Sequence, residues 1–138
     1  WCAPPGAHLY RRGMRIIGLG VDLADISRVE RVFEKYPRFI DRCFTPHEKD
    51  YALRFARPAR RLAARFAGKE AVMKSMGTGW RRIPWTDIEI TGGGKPTVRM
   101  SGRAADRARM LGITEVLVTI THTDVTAMVM AVSVGEHD

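Results

Sequence analysis

The stretch that most restricts the fold runs from Arg60 to Trp80, RRLAARFAGKEAVMKSMGTGW. It reads as one long helix stopped at Gly77-Thr78-Gly79. Leu62, Ala63, Phe66, Ala67, Met73 and Met76 recur at helical spacings, the mark of a buried stripe. Glu70 interrupts it. It follows Phe66 by four residues and Ala67 by three, so it points toward the apolar side. An unpaired carboxylate there costs several kcal/mol or stays protonated. Lys74 is one turn on and can pair with it, but a solvated pair of that kind contributes only ~0.2–0.5 kcal/mol. Two readings stay open for this segment: a partly exposed helix ion pair, or a carboxylate set against a metal ion or polar ligand.

The 138 residues suit a single domain with a real core. No run of ~18 apolar residues is present, so no membrane span is expected. Cys2 and Cys43 match no metal spacing and do not make a disulfide framework, which points to a reducing cytoplasm. The formal charge of +8 calls for an anionic partner. It is concentrated: Arg57, Arg60, Arg61, Arg65, Lys69, Lys74, Arg81 and Arg82 fall in one stretch with a single acid, Glu70. That is a positive surface with a carboxylate in its middle, or a solvated helix face.

Along the chain, residues 1–13 lack periodicity and contain Pro4-Pro5-Gly6, as in a flexible N-terminal extension. Arg15 to Leu23 reads as a strand. Ile17, Leu19, Val21 and Leu23 lie on one face; Gly18, Gly20 and Asp22 lie on the other, with Ile16. The two glycines leave room for another backbone or a ligand. No G-x-G-x-x-G or P-loop spacing follows, which argues against a dinucleotide-binding Rossmann domain. Asp25 to Tyr36 is an amphipathic helix with core positions Ile26, Val29, Phe33 and Tyr36. Arg28, Arg31 and Lys35 share another face, and Arg38 lies just past its end. This basic stripe is a docking surface for an acidic helix or an ordinary solvent face.

Thr45-Pro46-His47-Glu48 is a helix start with capping residue, proline and glutamate in order. Thr86 to Ile90 and Thr97 to Met100 form a hairpin around Gly92-Gly93-Gly94-Lys95-Pro96. Ser101 is placed to cap a helix from Gly102 to Leu111, ended by Gly112. Glu115 to Thr121 and Val125 to Val134 are two further strands. His122 stands at the open end of the row Val116, Val118, Ile120. The order predicts a single α+β domain with a mostly antiparallel sheet packed with helices.

Read together, several segments carry a resemblance. They are Gly18-Leu19-Gly20-Val21-Asp22, then Arg65-Phe66-Ala67-Gly68-Lys69-Glu70-Ala71 through Lys74 and Gly77-Thr78-Gly79. Asp87-Ile88-Glu89-Ile90, Gly94-Lys95-Pro96 and Ile120-Thr121-His122-Thr123 follow in order. This series resembles the holo-acyl-carrier-protein synthase family, the small 4′-phosphopantetheinyl transferases, over residues 14–138. The K-E-A-x-x-K helix with the upstream aspartate is its specific part. One departure is Gly68, where the family usually has a second alanine; it costs helix propensity, about 1 kcal/mol.

The resemblance implies that 4′-phosphopantetheine passes from coenzyme A to a serine of apo-acyl carrier protein and 3′,5′-ADP leaves, a step of fatty-acid and lipid biosynthesis. It implies Mg²⁺ on Asp22 and Glu70, Lys74 at the diphosphate, and Arg65 at the 3′-phosphate with Arg57 beside it. It places Lys95 and His122 against the nucleotide from a neighbouring subunit of a homotrimer with active sites at its interfaces. The acidic carrier would dock on Arg28, Arg31, Lys35 and Arg38, and Glu70 is the candidate base. The residue types suit this: arginines match phosphates, and Mg²⁺ takes few carboxylates alongside phosphate and water. Nucleic acid and membrane are not expected partners. A basic nucleic-acid module would use the same arginines, but helix-turn-helix, zinc-finger and RRM signatures are missing. An idle trimeric scaffold fits poorly with an intact Asp22, Glu70 and Lys74.

Overall fold

The computed structural model describes residues 13–92 and 94–136. The expected N-terminal extension, Gly13 apart, lies outside the described residues. In chain order the elements are β1 (Met14–Asp25), α1 (Ile26–Lys35), α2 (Pro37–Cys43), α3 (Pro46–Leu53), α4 (Pro58–Ser75), a 3-10 turn (Trp85–Asp87), β2 (Ile88–Thr91), β3 (Thr97–Met100), α5 (Gly102–Leu111), β4 (Ile113–His122) and β5 (Thr126–Glu136). All strand pairing is antiparallel: β5 lies between β1 and β4, and β2 pairs with β3. The α+β architecture expected from the sequence is the one observed. No described helix is long and apolar enough to cross a membrane.

Helix α4 is the axis of the molecule. Leu62, Ala63, Ala67 and Met73 are buried as the stripe requires, and so are Ala64, Ala71, Val72 and Ser75 on its other sides. The larger sheet lies directly on it. A Cβ at Gly20 would stand 1.9 Å from the Ala71 carbonyl oxygen, and one at Gly18 1.9 Å from that of Ser75. Only glycine lets strand and helix backbones meet this closely.

The face of β1 that meets the helix is therefore its small-residue face. The apolar residues point the other way: Leu19, Val21 and Leu23 are 58%, 52% and 63% exposed. A bulge between Ile16 and Gly18 breaks the alternation, so Ile17 packs against the core while Ile16 is exposed.

Three local expectations are revised. Helix α2 lies where the sequence shows no periodic element; proline starts it, and seven residues are too few to reveal a 3.6-residue period. Ser101 makes no side-chain cap bond. Asp87 caps α5 instead, accepting from the Arg103 and Ala104 amides at 2.8 and 3.3 Å, from a 3-10 turn that replaces the start of the expected strand. Lys69, counted with the positive surface, is wholly buried, with its ammonium 2.7 Å from Glu48 Oε1.

Candidate active site

The close fit of β1 on α4 sets the site. Gly18 meets the helix at Ser75 and Gly20 meets it at Ala71, so two residues along the strand match one helical turn back. The next inward residue, Asp22, comes level with the turn that carries Glu70. Its carboxylate accepts from Lys74 Nζ at 2.9 Å, and Lys74 Nζ also donates to the Val21 carbonyl at 3.2 Å. The sequence pairs Lys74 with Glu70; in the structure Lys74 turns to Asp22. Glu70 is half-buried, with the Asp22 carboxylate beside it. Burial first, then the neighbouring Asp22, push the Glu70 carboxyl up to about 7, against the pull of Lys74. The Asp22 hydrogen bond raises the Lys74 ammonium above its ordinary value.

Glu70 stands where three cavities meet. One, of about 300 Å³, runs under α1 between Asp22, Arg28, Val29, Phe33 and Phe66. A second, of about 670 Å³, opens between Phe39, Arg42, Phe66, Trp80, Arg81 and Trp85. The third, of about 220 Å³, lies beside Lys74, Thr78, Gly79 and Trp80. The second has an aromatic wall: the rings of Phe66 and Trp85 stack at 4.7 Å, Trp80 lies nearly parallel to Trp85 at 6.4 Å, and Phe39 is 6.3 Å from Phe66. Sequence reasoning missed this wall. Its members come from α2, α4, the loop before the 3-10 turn and the turn itself, and no single periodic pattern links them.

The remaining expected site residues gather elsewhere. Arg65 and Glu70 are five residues apart on one helix, about 140° around its axis, so they face different sides. Arg65 is buried, donates to the Gly92 carbonyl at 3.2 Å and lies 4.4 Å over the Tyr51 ring. Burial lowers its pKa. The Nε atoms of Arg65 and Arg60 are buried with no partner among the described residues. With Arg61, His122, Gly94 and Pro96 these arginines line a cavity of about 230 Å³, an electropositive recess suited to a phosphate. Lys95 is exposed in the turn that borders it. Arg57 pairs with Glu30 at 3.3 Å. Arg31, Lys35 and Arg38 are exposed near Arg28 along α1 and α2.

No group of three or more His, Cys, Asp or Glu side chains is placed to hold a metal among the described residues. Asp22 and Glu70 form a pair. Two neighbouring carboxylates favour holding a proton or a cation between them, and a hard divalent ion completed by phosphate and water fits so small a ligand set.

Residues 18–121 match the 4′-phosphopantetheinyl transferase superfamily. A holo-[acyl-carrier-protein] synthase of Moorella thermoacetica is 50% identical over 105 residues, 75% of this chain and 82% of its own. The holo-ACP-synthase structure from Plasmodium yoelii superposes with a TM-score of 0.81 at 31% identity, covering 91% of this chain and 99% of that one. A Bacillus anthracis holo-(acyl-carrier-protein) synthase in complex with CoA (3′,5′-ADP) superposes at 0.71 with 28% identity, covering 87% and 97%. The chain belongs to the 4′-phosphopantetheinyl transferase superfamily. Within it, the chain is an enzyme of the holo-[acyl-carrier-protein] synthase type.

Proposed function

We propose that this enzyme transfers 4′-phosphopantetheine from coenzyme A to a serine hydroxyl of an apo-acyl carrier protein, with Mg²⁺, and releases 3′,5′-ADP. The observation that carries the reading is the Asp22–Glu70 carboxylate pair beside Lys74, with Glu70 at the junction of the cavities. The relatives' names and the Bacillus anthracis complex with CoA (3′,5′-ADP) support the donor and the acceptor.

The serine oxygen forms a bond to the phosphorus that bears pantetheine, and the diphosphate bridge to the nucleotide breaks. Glu70 takes the serine proton, directly or through a water polarised by the metal it would hold. Lys74 holds the diphosphate by charge, and Asp22 orients Lys74. Asp22 and Glu70 would hold Mg²⁺, which neutralises charge on the diphosphate and the departing nucleotide. Arg28, Arg31, Lys35 and Arg38 would receive the acidic carrier. Arg28 also lines the Glu70 cavity, so a carrier on α1 would bring its serine to the carboxylates. A cytoplasmic location completes the reading, and the free Cys43 suits it: the thiol is buried and pushed up to about 12 by that burial, hence inert.

The assembly proposed is a homotrimer with shared sites. The outer face of the larger sheet supports it. Val21 pairs with Met130 and Leu23 with Met128, Leu117 lies one strand over, and all are exposed. A contiguous apolar patch of this kind marks a protein interface. A second copy would also supply Arg65, Lys95 and His122, with Arg57 nearby, to the phosphates held at Asp22 and Glu70.

The deciding experiment is the intact mass of an apo-acyl carrier protein incubated with this protein, coenzyme A and Mg²⁺. A gain of one phosphopantetheine group, abolished by EDTA, is expected. A folded protein that leaves several carriers unmodified would overturn the reading.

A further inference from the structure

Lys69 belongs to the K-E-A-x-x-K segment, yet the transfer chemistry leaves it without a role. Its three ammonium hydrogens are all used: by Glu48 Oε1 at 2.7 Å, by the Trp85 carbonyl at 3.0 Å and by the Ile88 carbonyl. The Glu48 carboxylate also accepts from the Thr45 and Ile90 amides, both at 3.0 Å. Stability alone does not call for such an arrangement, because an apolar pair of similar size commonly serves as well as a buried ion pair. What the ammonium does grip is specific. The Trp85 and Ile88 carbonyls lie at the two ends of the 3-10 turn, and the Trp85 ring is the centre of the aromatic wall. The far end of the same segment is fixed too, since Arg107 Nε donates to the Met76 carbonyl at 3.0 Å. The loop that carries Trp80 is thus tied at both ends to buried structure.

We propose that Lys69, with Glu48, is a positioning residue for the donor: it sets the backbone of the Trp85 turn and so holds the aromatic wall in the shape that receives the pantetheine end of coenzyme A. The proposal rests on the transfer reading above. It assigns the arm to this wall because of what borders Glu70. Lys74 marks the diphosphate side and Arg28 the carrier side; the direction left is the aromatic cavity, the largest of the three. An uncharged, amide-bearing arm fits a mostly apolar slot with a few polar groups at its rim.

The test is the neutral double variant Lys69→Met with Glu48→Gln, which keeps volume and an acceptor for the Ile90 amide. Coenzyme A and 3′,5′-ADP binding are compared by titration calorimetry in Mg²⁺. The expected result is a Kd for coenzyme A raised about tenfold or more, with the Kd for 3′,5′-ADP, which lacks the arm, within about twofold of wild type. Near-UV circular dichroism should show the Trp80–Trp85 signature altered. A purely structural role would move both ligands together or lower only the active fraction, and either outcome sinks the proposal. Should the double variant not fold, Trp85→Leu must give the same split, and unchanged coenzyme A binding there overturns the inference. A wild-type protein that neither binds coenzyme A nor modifies a carrier would instead count against the transfer reading.

Discussion

Under the proposed mechanism, Glu70 serves the chemistry at a cost to stability. Its carboxyl titrates near 4.5 in an unfolded chain and about 7 in the folded one. Between those values the folded state holds a proton that the unfolded state has released. Stability of the metal-free protein therefore falls as pH rises from about 4.5 to about 7, then levels off. Glu70→Gln removes this slope. At pH 8 without Mg²⁺ the variant should be the more stable; because the side chain is half in water the full shift overstates the gain, and about 1–2 kcal/mol is expected. Its transfer activity should fall by at least about a hundredfold, the scale of a lost general base. Thermal melts at pH 5 and pH 8, with turnover measured on the same samples, check both halves. A variant less stable than wild type at pH 8 would show that burial and Asp22 do not strain this carboxylate. Adding Mg²⁺ should raise the wild-type melting temperature and leave that of the variant nearly unmoved, because binding to the folded state alone stabilises it.

At the scale of elements, the proposed mechanism divides the labour between α1 and α4. Arg28, Arg31 and Lys35 are exposed on α1 and form no ion pair among the described residues, which leaves their charge for a partner. Arg28→Glu should raise the KM for the carrier about tenfold at low salt and leave the KM for coenzyme A unchanged; the difference should shrink as salt screens it. Steady-state kinetics at two ionic strengths decide it, and an equal loss for both substrates would place Arg28 in the donor site. Much of this was legible in the chain itself. Asp25 caps α1, Thr45 and Glu48 form the capping box, and Asp22, Glu70 and Lys74 come together because short-range periodicity fixes where they point. What sequence reasoning missed depends on distant partners. Lys69 reads as surface charge because its acceptors lie on α3, in the 3-10 turn and at the first residue of β2, and Glu48 shows only its local capping role. The same holds for Gly68, which looks like a lapse in a helix. A Cβ there would stand 2.2 Å from Ile90 Cδ1, so the glycine makes room for the tip of the Ile90 side chain.

For the whole molecule, the question is why a chain this short keeps its arginine-lined recess away from its carboxylates. Within one copy, Arg65 and His122 line one cavity and Asp22 and Glu70 another, with no lining residue in common. The alternation of β1 bears on the answer. The strand turns glycines to its own helix and Leu19, Val21 and Leu23 to the outside. Periodicity shows that such a strand has two faces but not which of them meets its own chain. Under the proposed trimer, that outer face is buried and each site takes carboxylates from one copy and the recess from the next. Glu70→Gln and His122→Ala should each be nearly inactive alone. Co-expressed in equal amounts, they should recover activity at about a quarter of the wild-type sites, the share of interfaces at which an intact carboxylate pair meets an intact histidine in a closed ring. Val21→Glu, placed in the apolar face, should lower the mass seen by light scattering and the activity together. If mixing restores nothing while both single variants stay assembled, the recess and the carboxylates serve one chain, and the donor must bridge them within it.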